Sequence, residues 1–204
     1  QVWQNAVKEL VEKLFGYYKS EIEANDTTVM EELRCIFEKD LPDYKSYVTV
    51  SREILESSQK NIDKLIKIHT WDEIRPYLFK AVQKIEVKSI NGSSGDVLTY
   101  YEHEETGVSV IAIGGDKLSR GLTLEGLSVS YFLRASKMYD TLMQMGRWFG
   151  YRPGYVDLCR LFTSPELNGW FRHITMASEE LRAEFNYLAE ARSTPDKYAL
   201  KVRS

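Results

Sequence analysis

The sequence has no G-x-x-x-x-G-K-[ST] run; Gly115-Asp116-Lys117-Leu118-Ser119 is only a superficial echo of one. A chain without that loop has no cradle of its own for the β- and γ-phosphates of a nucleotide. Cysteine is scarce. Cys35 and Cys159 lie far apart and make no metal pattern, so they read as reduced, buried thiols of a cytoplasmic protein. His69, His103 and His173 are scattered, which argues against a zinc site. No apolar run approaches the roughly 20 residues of a membrane span, and the start at Gln1 lacks a signal-peptide pattern. A broad basic surface is missing too. At a net charge of −3, any contact with nucleic acid has to be local. The missing initiator Met and the unfinished-looking end at residues 198–204 suggest a piece of a longer protein.

What remains is ample for a folded core. The 204 residues are 43% hydrophobic and 28% charged, enough for one ordinary domain, or a compact domain with a smaller appendage. Residues 1–84 read as helices. Trp3, Val7, Leu10, Leu14 and Tyr17 recur at helical spacing and form one apolar stripe, expected to be packing. Thr28-Val29-Met30-Glu31 has the form of a capping box opening a second helix, which should stop before Pro42. A third helix is expected after Ser51, carrying Leu55, Ile62, Ile66 and His69. Thr70-Trp71-Asp72-Glu73 is another capping box. Pro76 is awkward inside the helix that follows, so Arg75 is an alternative start.

From residue 85 the period changes. Residues 85–90, 108–113, 129–133 and 156–162 are short runs rich in β-branched and aromatic residues, bounded by Gly, Ser or Pro. Between the third and fourth, Met138, Leu142, Met145 and Phe149 mark a helical stripe. This order predicts an α/β fold with one open, largely parallel sheet over residues 85–163. After Ser164-Pro165 the pattern returns to helix, so residues 164–204 are expected to be a helical extension. The loop at 91–96 (NGSSGD) is assigned by composition.

The chemistry concentrates between Gly114 and Tyr155. An apolar strand ends in Gly114-Gly115-Asp116, the position where ligands collect in open α/β sheets. The Gly pair lets backbone approach a ligand, and the carboxylate can accept from a ribose or an arginine. Arg120-Gly121-Leu122-Thr123 follows. Taken alone, this is a tight turn with a surface arginine. A second block adds weight: Gln144 and Arg147 share a helix face distinct from the Met/Leu/Phe stripe. Gly146 removes bulk beside Arg147, and Arg152-Pro153-Gly154 holds another guanidinium in a loop. Arginine suits phosphate because its planar fork stays charged and donates two parallel hydrogen bonds.

Asp116…Arg120-Gly121-Leu122-Thr123 resembles the fifth motif of superfamily-two helicases, and Gln144…Gly146-Arg147 resembles their sixth, the source of the arginine finger. GGDKLSRGLTLEGL followed by YDTLMQMGRWFGYRPGY is similar to the Z-one domain, a family whose name proposes an endonuclease, found in bacterial proteins linked to helicase modules and restriction-type systems. The quoted resemblance covers about residues 85–163. It implies a RecA-like fold of the helicase C-terminal type, with ATP and Mg²⁺ bound only together with a preceding RecA-like domain, and DNA as the expected nucleic acid. It assigns a catalytic role to Arg147 or Arg152 and nucleotide contacts to Asp116, Thr123, Gln144 and Gly146. The loop of Arg120 and Gly121, together with Asn91 in the earlier turn, becomes a candidate contact to nucleic-acid backbone. Four positions depart from the helicase pattern. Met143 stands where helicases carry Gln or His, Gly150 where they carry the second arginine, Thr123 where they carry Asp, and Gly115 where they carry the Thr of a Thr-Asp pair.

The rival is a nuclease. Glu86-Val87-Lys88 on a strand is half of a restriction-type metal site, with Asp43 as a conceivable partner. That pattern wants its Asp on an adjacent strand shortly upstream, and Glu and Lys also alternate on any solvated strand face. The solvated face is the reading preferred here. A non-catalytic scaffold with a helicase fold is the third possibility.

Overall fold

A computed structural model describes residues 2–57, 63–90, 107–115, 118, 124, 126–133 and 153–190. The chain divides into two compact units. One comprises Gln1–Ser128 with Trp148–Cys159, the other Val129–Arg147 with Arg160–Ser204.

The first unit opens with α1 (Val2–Glu23), α2 (Thr27–Glu38) and α3 (Tyr47–Glu56). α1 carries two neighbouring apolar faces. Val11, Phe15, Tyr18 and Ile22 face inward, and the helix lies against α5 (Leu78–Gln83), β1 (Glu86–Ile90) and β2 (Val110–Gly114). The stripe read from the sequence as packing is the other face. Trp3 is 85% exposed and Leu10 68%, and Val7, Leu14 and Tyr17 are exposed too. Periodicity marks both stripes alike; the sheet covers one.

α2 begins two residues earlier than its capping box suggests. Asp26 is the cap, its Oδ1 accepting from the backbone N–H of Thr28 and of Val29, both at 2.9 Å. A carboxylate there satisfies two amides that the helix itself cannot. α2 ends at Glu38, short of Pro42 as expected. α3 starts before Ser51, under Ser46, whose hydroxyl accepts from Thr49 N. It stops at Glu56, so Ile66 and His69 do not extend it. The Thr70…Glu73 capping box is present in both directions and opens α4 (Trp71–Ile74). Pro76 is accommodated in the first positions of a short 3₁₀ turn, Arg75–Tyr77, before α5. Its missing N–H falls where no helical partner is required. Ile22, Val29, Met30 and Trp71 form the core of this unit, with Phe37 against Trp71 at a ring separation of 6.3 Å. Full burial of each aliphatic member stabilises by about 1.5–3 kcal/mol.

β1 and β2 pair in parallel, Glu86 opposite Val110 and Ile90 opposite Gly114. In the second unit β3 (Val129–Phe132) and β4 (Arg160–Thr163) also pair in parallel, Val129 opposite Arg160 and Phe132 opposite Thr163. Parallel neighbours need long crossovers, which places these pairs in an α/β protein. Among the described residues they form two two-stranded sheets rather than the one sheet expected. The fourth strand is also shorter than expected, because Val156–Leu158 is a 3₁₀ turn that buries Asp157. The final helix, α6 (Pro165–Glu190), starts on a proline behind Ser164, whose hydroxyl accepts from Leu167 N at 3.2 Å. Leu167 and Ile174 anchor it, with Phe132, Trp170 and Phe171 packed around them. The helical stripe at Met138, Leu142, Met145 and Phe149 lies outside the described residues.

Candidate functional site at the strand ends

Because β1 and β2 are parallel and in register at Ile90 and Gly114, their carboxyl ends share one edge. The segments carrying Asn91 and Asp116 both begin there. Gly114 has no room for a side chain: a Cβ would lie 2.7 Å from Leu118 Cδ1 and 2.9 Å from the carbonyl oxygen of Ile90. Glycine is needed here for close approach. At Gly115 a Cβ would meet only the flexible end of Gln4, at 2.9 Å.

The residues singled out from sequence, Asn91, Asp116, Arg120, Gly121, Thr123, Gln144, Gly146, Arg147 and Arg152, lie outside the described residues. What is described is the ground on either side of them. On one side is the glycine edge of β2. On the other is the turn that follows Arg152, where Gly154 has φ +78 and its N–H donates to Asp63 Oδ2 at 2.5 Å. Farther along, Asp157 Oδ2 accepts from Ser51 Oγ on α3 at 2.7 Å. Asp63, Ser51 and Asp157 escaped the sequence reading. Asp63 sits in an apparent helical repeat and Asp157 in an apparent strand, so periodicity hides both.

The residues of the rival site are solvent-facing. Glu86 Oε2 and Lys88 Nζ pair at 3.0 Å with both side chains well exposed on β1. Asp43 lies in a tight turn closed by the backbones of Leu41 and Tyr44. Among the described residues no three His, Cys, Asp or Glu side chains come together in a way that could hold a metal ion. Glu73 is engaged in capping: the Thr70 N–H reaches its Oε2 at 2.8 Å and, as the largest cause, holds that carboxyl below its ordinary range. Cys35 and Cys159 form no disulfide and are half-buried, where full burial was expected. Among the described residues no helix is long and apolar enough to cross a membrane.

Two small parallel strand pairs with flanking helices, one pair ending in a glycine packed against Leu118 and the Ile90 carbonyl, make this an α/β protein. The Z1 domain family model matches residues 1–204, and the chain belongs to that family. No curated protein and no solved structure matches the chain.

Proposed function

We propose that this chain is the second RecA-like half of a nucleic-acid-dependent ATPase, contributing arginines to ATP and Mg²⁺ held on a preceding RecA-like domain. Residues 85–163 form the motor core in this reading, with helical segments 1–84 and 164–204 flanking it. The observation that carries it is the walled-in Gly114, at the shared carboxyl edge of two parallel strands and two residues before Asp116. Ligands gather at such edges, and the helicase-like block Asp116…Thr123 starts there. Phosphoryl transfer asks little covalent chemistry of the protein and much positioning of charge. Arg147, or Arg152 under the shifted spacing, meets the charge that develops as the γ-phosphoryl group transfers. Gln144 and Gly146 place that helix against the nucleotide. Asp116 and Thr123 couple the nucleotide to the loop of Arg120 and Gly121, which contacts DNA backbone together with Asn91. A restriction, defence or repair system is the fitting setting.

The test is steady-state ATPase of the protein joined to its phosphate-loop domain, with and without DNA. Arg147→Ala is expected to lose on the order of a thousandfold in turnover with an unchanged melting temperature. If Arg152→Ala is the crippling change and Arg147→Ala is mild, the finger is Arg152. Near-normal rates in both variants eliminate the finger role. Family membership favours a second reading, the endonuclease that the family name proposes. DNA cleavage with Mg²⁺ or Mn²⁺ that Lys88→Ala abolishes would establish it; the solvent-facing Glu86–Lys88 pair leads us to expect no such cleavage.

A further inference from the structure

α1 has two apolar faces, and the first unit uses one of them. The other runs through Trp3, Val7, Leu10, Leu14 and Tyr17, exposed from 45% at Val7 to 85% at Trp3. Single apolar residues on a surface are ordinary; a contiguous stripe of five marks a contact. The five step along the helix by four, three, four and three residues. That is the a/d repeat of a coiled-coil seam, where each apolar knob enters a hole formed by four residues of a facing helix. A seam of this kind is narrower than the stripe by which a helix covers a core, so it fits one helix rather than a sheet.

A second copy of the chain supplies a helix with this spacing. Pairing of like with like asks one patch to be complementary to itself, and the seam holds no charge from Trp3 to Tyr17. Its five side chains expose about 600 Å² per copy, approaching the roughly 800 Å² that each partner gives to a standard interface. Ala6 and Lys13 flank the outer side of the seam. The alanine leaves room for a neighbour, and the lysine stem covers apolar surface while its ammonium stays in water.

Glu21 sets the direction. It occupies the next a position after Val7 and Leu14. Parallel helices would set it against its own copy, a repulsion between like charges. Antiparallel helices, with Trp3 beside Leu14 of the second copy and Val7 beside its Leu10, carry Glu21 past the start of the facing helix at Val2. We propose that α1 pairs antiparallel with α1 of a second copy through Trp3, Val7, Leu10, Leu14 and Tyr17. With about 1,200 Å² buried in total, the dimer sits at the low end of specific interfaces and forms in the micromolar range. Each copy is folded without it, because the core around Ile22 and Trp71 is complete in one chain.

Sedimentation equilibrium of the chain from about 1 µM to about 300 µM tests the pairing. The mass should climb from the 23.7 kDa of one chain toward twice that value. Leu10→Gln, in the middle of the seam, and Trp3→Ala should each weaken association about tenfold or more. In dilute, monomeric chain neither should move the melting temperature, which separates lost pairing from lost folding. Glu21→Leu should leave the association constant unchanged. A tighter dimer in that variant shows that the helices run parallel and overturns the pairing as stated. A dimer indifferent to both seam variants forms through another surface, and a mass that stays at one chain throughout leaves the stripe to a preceding domain. Either result overturns the proposal.

Discussion

Asp40 and Glu73 are each kept charged by a backbone amide that precedes a helix. Ser46 N–H meets Asp40 Oδ1 at 2.9 Å and is the largest cause of that carboxyl's lowered pKa, with the Thr49 hydroxyl second. Glu73 is lowered first by the Thr70 amide and then by the Thr70 side chain. Both folded values lie below the unfolded ones, about 3.9 for Asp and 4.3 for Glu. The stability they contribute is therefore full above those unfolded values and is lost as pH falls through the lower folded ones. A chain carrying Asp40→Asn and Glu73→Gln should have a urea midpoint that falls less steeply than the parent's as pH drops below about 4.5. Identical acid slopes would show that neither cap contributes. At this scale the sequence was partly legible. The Thr70–Glu73 box could be read directly, while α2 takes its cap from Asp26, because the nearer-looking Thr28 is already inside the helix and donates its own N–H to that carboxylate.

Among the elements, α1 separates apolar periodicity from burial. Leu10→Gln on its outward stripe should change the unfolding free energy by less than about 0.5 kcal/mol, as surface substitutions usually do. Trp71→Ala, at 6% exposure in the core of the same unit, should cost about 3–5 kcal/mol. Equal losses in urea titrations would mean that the outward stripe is covered after all. The existence of helices and strands was legible because their periods differ. Their ends were not, and α3 is the instructive case. Ile62, Ile66 and His69 keep a helical spacing beyond it, yet Asp63 draws the Leu65 amide onto its side chain. Local side-chain bonds of this kind compete with the helix ladder, and here the side chain wins. Asp157 does the same to an apparent strand, since a carboxylate bonded to Ser51 requires the chain to turn inward.

For the whole molecule, the expectation is that this chain alone shows no ATPase activity and only weak nucleotide affinity, because no phosphate loop is present in its sequence. Calorimetry with ATP and Mg²⁺ checks it, and steady turnover by the isolated chain would sink the two-domain reading. The candidate site was legible as motifs because Arg-Gly and Gly-Arg blocks are local in sequence. The tie between Asp63 and the turn at Gly154 was not, since the two belong to different stretches that no period connects. The first unit is moreover interrupted: the chain leaves it after Ser128 and returns at Trp148 to complete it. No single cleavage can separate the two units intact. The interruption also sets an order of birth. During synthesis at about 5–20 residues per second, Asp63 emerges roughly 5 to 18 seconds before the glycine that will satisfy it. Through that interval its carboxylate must stay in water, so the nascent first unit reaches its final packing only when its last turn leaves the ribosome.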